Sequence, residues 1–431
     1  MITFYGVLLL VFGFALALAS VLLSNIFLTL SGLGIVFYII ASHYNFERHM
    51  HAMPLSSKRF ISLSKAPVGQ FIDCSLELNV GMALPIRFEE TLPQFFSVKG
   101  NKSGASVGTA RLNYSFTSPN RGMFYVGPTK VVVNDPTGLF YKELVATNAR
   151  EVLFYPSLGE VKKYDAQLRK KSMHQLLGIR KSIVQGAGTD FVALRKYLAG
   201  DELRQIDWKA TARMRQLMVR TFEAEKKQRV VIVLDGGRLM HSGKEATMLD
   251  AGINAAVLLS HVVLMRGDLL GFAIFSDKLE FFLKPGNNRG QFYKLLEALG
   301  RITPIRETDF INSFRQLAPM LPTRSLVILI SSLQDGEKKK VVEAIKLLKA
   351  HKHAVVVIAP FEPWFEPIDG KDHLVRVIAE SAEEKYRKDL DAVASAVKRF
   401  GVSVVPVGPG DMAATSLKKY VYAVNKGLAT I

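Results

Sequence analysis

The sequence of 431 residues predicts a membrane-anchored, multi-domain protein: two N-terminal transmembrane helices, a β-sandwich-like domain and then a doubly wound α/β domain. Three observations predict this architecture. Residues 1–46 contain no Asp, Glu, Lys or Arg, residues 55–155 alternate between apolar and polar positions, and from residue 228 apolar strands alternate with helices. The predicted boundaries are 1–46 for a helical hairpin, 55–155 for the β-sandwich-like domain, 156–227 for a linking segment and 228–431 for the α/β domain.

The charge-free start of the chain is long enough for two membrane spans. A bilayer-spanning helix needs about 20 predominantly apolar residues, so residues 1–46 accommodate two helices with a turn at Ser24-Asn25. A secretory signal peptide would have a basic start and a shorter apolar stretch. A single helix of this length would have to tilt or leave the membrane. We therefore expect a transmembrane hairpin.

Basic residues beyond the second span predict the orientation. Arg48, Lys58, Arg59 and Lys65 follow that span, whereas the turn between the spans has no basic residue. The positive-inside rule then places the soluble domains in the cytoplasm, on a protein that crosses the cell membrane twice. The single cysteine, Cys74, cannot form an intramolecular disulfide, which agrees with a reducing compartment. We expect it in the core of a strand.

Residues 55–155 have the pattern of an antiparallel sandwich. Phe71–Val80 and Arg111–Thr117 alternate between apolar and polar residues, and turn sequences such as Ser118–Gly122 separate the strands. In the linking segment, the sequence predicts a basic helix at residues 160–182, which either lies on the membrane surface or leans on a domain.

The α/β domain is predicted from apolar runs that alternate with helices. The strands are predicted at Val230–Leu234, Leu269–Phe275, Ser325–Ile330, Ala354–Ile358 and Val402–Val407. The helices are predicted at Ala246–Met265, Gln291–Leu299, Glu337–Ala350, Glu383–Phe400 and Ala413–Asn425. In a doubly wound parallel sheet, ligands bind beyond the carboxyl ends of the strands. Asp235, Arg238 and Asp335 therefore form the predicted strand-end site, and Asp277 and the Pro360–Glu362 segment lie at similar strand ends.

The most distinctive segment is residues 188–213, which we expect to form a loop and a short helix. It contains a dense, mixed-sign set of polar residues around a tryptophan: Asp190, Arg195, Asp201, Arg204, Asp207, Trp208, Lys209 and Arg213. A solvated helix face needs charge but does not need an embedded tryptophan. The order of residues therefore indicates a specific role.

This segment resembles the signature of the domain of unknown function 58 family. The matching features are Thr189-Asp190-Phe191, Leu194-Arg195, Tyr197, Gly200-Asp201-Glu202, Arg204, Ile206-Asp207-Trp208-Lys209 and Ala212-Arg213. The resemblance extends upstream through Arg121-Gly122, Val126-Gly127-Pro128 and Asp135–Phe140 and downstream through Val219–Glu225, so that it covers roughly residues 120–240. It implies a membrane-anchored protein with a von Willebrand factor type A-like domain that often works beside MoxR-type AAA+ ATPases. It implies no established catalytic activity.

Two interpretations of the signature remain open at this point. In the first, Asp190, Arg195, Arg204, Asp207, Trp208, Lys209 and Arg213 form a docking surface for a protein partner, since Trp and Arg dominate many interfaces. In the second, arginines pair with Asp190, Asp201 or Asp207 in a buried network with Trp208 packed beneath it.

The loop after the first α/β strand bears on metal binding. Type A domains of the von Willebrand kind hold a divalent ion with an Asp-x-Ser-x-Ser loop, because Mg²⁺ prefers oxygen ligands. Here the loop is Asp235-Gly236-Gly237-Arg238-Leu239, which has lost both serines. Thr308, Asp309 and Asp335 are the remaining candidate ligands. We expect no metal or other cofactor.

The function that these features favour is a non-enzymatic, membrane-anchored cytoplasmic adaptor, whose partner is a protein such as a MoxR-type ATPase. Residues 151–230 contain 17 Lys and Arg against 9 Asp and Glu, so anionic lipid headgroups or nucleic acid are alternative partners. Asp190 and Asp207 have no accompanying His or Cys, and no Gly-rich phosphate loop precedes a helix. An uncharacterised hydrolase is therefore a further alternative, and not the leading one.

Overall fold

The computed structural model describes residues 1–23, 25–51, 55–146, 149–170, 185–186, 190–198, 201–223, 227–244, 246–322, 324–333, 338–367 and 373–427. The chain divides into two compact units, Met1–Ser157 and Leu158–Ile431.

The first unit begins with a helical hairpin. Helices α1 (Phe4–Leu23) and α2 (Ile26–His51) are each long and apolar enough to cross a membrane, as predicted from the sequence. Small residues line their interface, as in many membrane helix pairs. A Cβ atom on Gly32 would lie 2.8 Å from the carbonyl oxygen of Gly13 and 2.9 Å from the amide nitrogen of Ala17. The Thr29 hydroxyl donates to Ser20 Oγ at 3.0 Å.

Replacing Gly32 by valine is expected to separate the two helices, because the new side chain overlaps the backbone of α1. Overpacking of this kind costs about 1–3 kcal/mol. Gly34→Val is the matched control, since no atom lies within 4 Å of a Cβ atom at Gly34. We expect Gly32→Val to lower the melting temperature of the full-length protein in detergent, and Gly34→Val to leave it unchanged. Equal effects of the two substitutions would show that the helices do not pack through Gly32.

Both ends of the hairpin lie against the same part of the β domain. The Thr3 amide donates to the Leu139 carbonyl at 2.8 Å, and Ile2 forms a β-bridge with Phe140. At the end of α2, Glu47 accepts from Lys142 Nζ at 2.7 Å. The beginning of α1 and the end of α2 are therefore on one side of the hairpin, together with the β domain.

The β domain contains eleven strands among its described residues. They are β1 (Ser56–Ile61), β2 (Lys65–Pro67), β3 (Ile72–Asn79), β4 (Pro85–Glu90), β5 (Ser97–Gly100), β6 (Ser103–Val107), β7 (Thr109–Thr117), β8 (Gly122–Val126), β9 (Thr129–Asn134), β10 (Tyr141–Ala146) and β11 (Arg150–Tyr155). Two antiparallel four-stranded sheets have the orders β1-β3-β7-β5 and β10-β9-β4-β6, and β2-β11-β8 form a third sheet. Their inward side chains form one core that includes Cys74 in β3, as expected.

A buried ion pair connects the two four-stranded sheets. Arg59 in β1 donates to both carboxylate oxygens of Glu90 in β4, at 2.7 and 2.9 Å, and their side chains are 1% and 0% exposed. Tyr114 in β7 donates to the same carboxylate at 2.7 Å. The Thr129 hydroxyl in β9 also donates to this carboxylate. Burial raises the pKa of the Tyr114 hydroxyl, and the nearby Glu90 carboxylate adds to the effect. The hydroxyl therefore stays a donor at neutral pH.

The second unit alternates strands and helices. In chain order its elements are α3 (Gly159–Lys170), β12 (Gln185–Gly186), β13 (Asp190–Lys196), α4 (Trp208–Met214), β14 (Met218–Glu223), β15 (Arg229–Asp235), α5 (Met248–Met265), β16 (Leu269–Phe275), β17 (Leu279–Gly286), α6 (Arg289–Gly300), α7 (Phe310–Leu317), β18 (Leu326–Ile330), α8 (Lys338–Ala350), β19 (Ala354–Pro360), α9 (Glu362–Phe365), α10 (His373–Lys398), β20 (Ser403–Val407) and α11 (Met412–Asn425).

Six of these strands form one sheet with the order β17-β16-β15-β18-β19-β20. All neighbours are parallel except β17, which is antiparallel to β16. The doubly wound sheet is as predicted, but the edge strand β17 and helix α7 were not predicted from the sequence. The chain changes direction across the sheet between β15 and β18, and their carboxyl ends flank the switch point.

Helices α3 and α5 pack together in this unit. Helix α5 is the third helix that is long and apolar enough to cross a membrane, but 72% of it is buried inside the protein. Asp165 in α3 lies 2.9 Å from Nε2 of His261 in α5, and Tyr164 is buried. The basic helix was predicted either to lie on the membrane surface or to lean on a domain, and residues 159–170 pack against the domain. Residues 171–182 lie outside the described residues.

A buried histidine predicts acid sensitivity of this unit. His353 is 1% exposed, and its Nδ1 accepts a hydrogen bond from the Ser325 amide at 3.2 Å. Burial lowers its pKa from 6.5 to about 4, so the folded state binds its proton less readily than the unfolded state. The stability from this residue is therefore present above pH 6.5 and is lost as the pH falls towards 4. The loss at pH 5, relative to pH 7, is about 2 kcal/mol.

We expect His353→Gln to flatten the pH dependence of unfolding between pH 7 and 5, measured by denaturant titration. His241→Gln is the control, because this histidine belongs to the same unit and is exposed. A pH dependence that is the same in wild type and His353→Gln would contradict the assignment.

Candidate functional site

The strand-end site is centred on the buried carboxylate of Asp235, the last residue of β15. Its Oδ1 accepts from the Gly237 amide at 2.8 Å and from the Thr308 hydroxyl at 3.0 Å. Its Oδ2 accepts from the Ser331 hydroxyl at 2.6 Å. Three loops therefore meet at one carboxylate, and both of its oxygens have protein donors.

The loop after Asp235 differs from the type A metal-binding loop in its contacts as well as in its sequence. A Cβ atom at Gly237, where the first serine of that loop would stand, would lie 1.9 Å from Thr308 Oγ1. The threonine hydroxyl thus fills the space of the missing serine side chain. Among the described residues, no group of three or more His, Cys, Asp or Glu side chains is placed to hold a metal. Asp309 instead caps α7 by accepting from the Asn312 amide at 3.1 Å.

The other predicted residues of this site have different surroundings. Arg238 is exposed and pairs with Glu307 at 2.7 Å. Asp277, after β16, is half-buried and pairs with Arg306 at 3.1 Å, and this arginine lowers the pKa of the carboxyl group. Asp335 lies outside the described residues. The structure therefore places Asp235 and Arg238 at one edge of the sheet and adds Thr308 and Ser331 as direct partners of Asp235.

The signature segment has more regular structure than the sequence predicts. Strands β13 and β14 pair antiparallel, with a register shift between Phe191 and Ala193. The short helix α4 between them was predicted, and no prediction was made for β14, but β13 was expected to be loop. The prediction of a loop was wrong for β13, because its apolar residues Phe191–Leu194 are consecutive and lack the alternation expected of a strand.

Two carboxylates hold this segment together. Asp201 accepts from Arg195 at 2.6 and 2.5 Å and from the Leu198 amide at 2.8 Å, and Arg195 lowers its pKa. Asp207 caps α4 by accepting from the Ala210 amide at 2.9 Å and also pairs with Arg220 at 2.9 Å. The Ala210 amide and then Arg220 lower the pKa of Asp207. Arg220 in β14, which was not among the arginines predicted to pair, is thus the partner of Asp207.

The remaining signature side chains point outward. Trp208 is 67% exposed, so the prediction that it packs beneath the network is wrong, whereas the predicted pairing of Arg195 with Asp201 is present. Arg204, Lys209 and Arg213 are exposed as well. Four apolar side chains of the same segment are also exposed: Leu198, Leu203, Met214 and Leu217. Asp190 begins β13 opposite Glu223, and its side chain lies outside the described residues.

The family comparison agrees with the signature. The model for "Protein of unknown function DUF58" matches residues 193–387. The DUF58 match begins in β13, includes the carboxylates Asp201, Asp207 and Asp235, and ends in α10, so it extends further towards the C-terminus than the resemblance over residues 120–240.

Structural comparisons give distant similarities. One is to conserved hypothetical protein BatB from Bacteroides thetaiotaomicron, with 16% identity, a TM-score of 0.33, and coverage of 46% of this chain and 98% of that one. Another is to an aerotolerance-related membrane protein from Bacteroides fragilis NCTC 9343 that carries multiple mutations to serine, with 15% identity, a TM-score of 0.33, and coverage of 46% and 99%. No curated protein matches the chain.

Proposed function

We propose that this chain is a membrane-anchored adaptor that binds a partner protein through an exposed surface of its DUF58 segment. We define this surface, the signature surface, by Arg204, Trp208, Lys209 and Arg213 together with the exposed apolar residues Leu203, Met214 and Leu217. The observation that carries the proposal is the exposure of Trp208 on a helix that is held in place by the Asp207–Arg220 pair. Trp and Arg are the side chains most often responsible for binding energy at protein interfaces.

The charge of the signature surface favours an acidic partner. Its charged side chains, Arg204, Lys209 and Arg213, are all basic. The family resemblance implies a MoxR-type AAA+ ATPase, and we propose such an ATPase as the partner. The two N-terminal helices would hold the adaptor in the cell membrane, and the basic residues that follow α2 support a cytoplasmic position for the soluble units.

We also propose that the six-stranded sheet is a von Willebrand factor type A-like domain that works without a metal. The strand order, which is 3-2-1-4-5-6 in chain order, supports the fold. The position of Asp235 at the end of the first strand and its contact with Thr308 support it further. The overlap between Thr308 and a side chain at position 237 supports the absence of the ion.

The test is affinity purification of the full-length protein in mild detergent, followed by mass spectrometry. We expect wild type to recover an AAA+ ATPase and Trp208→Ala plus Arg213→Ala to lose it. Tyr422→Ala plus Lys426→Ala is the matched control, because it also removes an exposed aromatic residue and a neighbouring cation from the same unit.

Melting temperatures decide whether the comparison is valid. Substitutions at exposed sites usually change stability by about 0.5 kcal/mol or less, so all three proteins should melt alike. Recovery of the ATPase by the signature variant, or its absence with wild type, would refute the proposal. Sedimentation with anionic liposomes and with DNA tests the alternative partners: binding that the signature variant loses would assign the surface to lipid or nucleic acid instead.

A further inference from the structure

A second recognition feature lies at the carboxyl ends of β18 and β19, on the edge of the sheet where α/β proteins bind ligands. A cavity of about 340 Å³ there is lined by residues that follow three strands, among them Leu239, Ser332 and Glu362. A neighbouring groove of about 740 Å³ shares Glu362 and Tyr386 with this cavity. The two spaces therefore adjoin each other at these residues, and none of their described lining residues belongs to the signature surface.

The smaller cavity has an apolar wall. Leu333, Leu390 and Val393 line it and are themselves largely buried, so the wall is part of the domain core. Lys338 and Asp389 also line the cavity and carry opposite charges. Its volume is within the range of about 300–1,000 Å³ that is typical of ligand pockets. An apolar side chain of a partner is the kind of group that fits it.

The larger groove combines aromatic faces with negative charge. Trp364 is 42% exposed, and the buried ring of Phe361 supports both Trp364 and Tyr386, at centroid distances of 4.9 and 5.0 Å. Among the described residues that line the groove, Lys244 is the one cation and four are carboxylates: Glu362, Glu366, Glu380 and Glu383. Glu383 also pairs with Arg387 at 2.8 Å. In a protein of net charge +18, this groove is a local region of opposite sign.

We propose that this groove binds a segment of a partner protein in which an apolar side chain is adjacent to lysine or arginine. The apolar side chain occupies the 340 Å³ cavity, and the cation lies between the aromatic faces and the glutamates. Aromatic rings attract cations through their negative faces. Carboxylates beside the rings also attract a cation, and they repel acidic segments. The groove is thus a binding site additional to the signature surface, and it recognises the opposite charge.

Trp364 provides a reporter inside the groove. The chain has two tryptophans, Trp208 and Trp364, so Trp208→Phe leaves fluorescence that comes only from the groove. The experiment titrates this full-length variant in detergent with three decapeptides, which alternate Lys-Leu, Glu-Leu or Lys-Ser. We expect a saturable change in emission with the Lys-Leu peptide and none with the other two. The signal reports on the groove and not on the signature surface, because the one tryptophan that remains, Trp364, lines the groove.

Charge-neutral variants test the glutamates. Glu366→Gln plus Glu380→Gln, in the Trp208→Phe protein, is expected to weaken binding of the Lys-Leu peptide about fivefold. Glu343→Gln plus Glu384→Gln removes the same charge from exposed pairs outside the groove and is expected to have no effect.

Four results of the peptide titrations would overturn the proposal. They are the absence of a saturable change with the Lys-Leu peptide, equal binding of the Glu-Leu peptide, equal binding of the Lys-Ser peptide, and equal weakening by both double variants. Without peptide, the emission of Trp364 should not change with protein concentration. Such a change would assign the groove to a second copy of the chain and would also overturn the proposal.

Discussion

Glu90→Ala is expected to unfold much of the β domain, because it leaves the guanidinium of Arg59 buried without its carboxylate. Removal of one partner of a buried ion pair costs about 3–5 kcal/mol. A whole domain is stabilised by only about 5–15 kcal/mol. The loss also affects Tyr114 and Thr129, which donate to the same carboxylate from the two facing sheets. Hydrogen exchange of the full-length protein, resolved by peptide, should show faster exchange in β1, β4, β7 and β9.

Glu89→Ala is the matched control for this prediction. Glu89 is the preceding residue of β4, and its side chain is exposed. We expect its substitution to leave exchange in the β domain almost unchanged. Arg59→Met plus Glu90→Leu should recover much of the lost protection, because an apolar pair of similar volume needs no charged partner. If Glu90→Ala exchanges like Glu89→Ala, the ion pair does not stabilise the sandwich.

Asp235→Ala is expected to have the second largest effect, on the α/β domain. It removes the acceptor for the buried Gly237 amide and Ser331 hydroxyl and for the half-buried Thr308 hydroxyl, and it leaves a cavity beside them. Buried donors without a partner cost about 1–3 kcal/mol each, so we expect a total loss of about 3–4 kcal/mol. Denaturant titration followed by tryptophan fluorescence measures it, since both tryptophans lie in this unit.

Asp277→Ala is the control, because it tests whether the loss of any carboxylate at a strand end has the same effect on stability. Asp277 follows the neighbouring strand β16, but its side chain is 48% exposed and pairs with an exposed arginine, so its removal should cost less than about 1 kcal/mol. Millimolar Mg²⁺ is expected to leave the stability of wild type and of both variants unchanged. A stabilisation of wild type by Mg²⁺ that Asp235→Ala abolishes would mean that the carboxylate holds an ion.

The sequence predicts the elements whose pattern is set by burial. Runs such as Val230–Leu234 and Ala354–Ile358 are apolar on both faces because helices cover both sides of the sheet, so their strands are evident. Strand β17 has Glu280 and Lys284 among its apolar residues and is only partly buried, so its pattern is not distinguishable from that of a loop. Helix α7 is only two turns long and carries three polar residues on its exposed side, which weakens its signal.

The candidate site was only partly predictable for a similar reason. Asp235 is identifiable because it ends an apolar run, and the altered loop after it is visible in the sequence. Thr308 occupies the space of a serine side chain at position 237 and donates to Asp235, which is 73 positions away in the sequence, and no local pattern encodes such a contact. In the signature, composition indicated pairing between arginines and aspartates, but the choice of Arg220 for Asp207 follows from the register of β14 and cannot be derived from spacing.

The apolar character of α5 has a consequence for how the protein is made. A chain whose first two helices enter the membrane is synthesised next to the insertion machinery, which selects segments by length and hydrophobicity. Helix α5 satisfies both criteria, yet its final place is under the sheet. Its fate during translation therefore depends on whether β15 and β16 cover it before the translocon engages it. Substitutions that slow the folding of this sheet should divert α5 into the bilayer and yield a protein with an extra span.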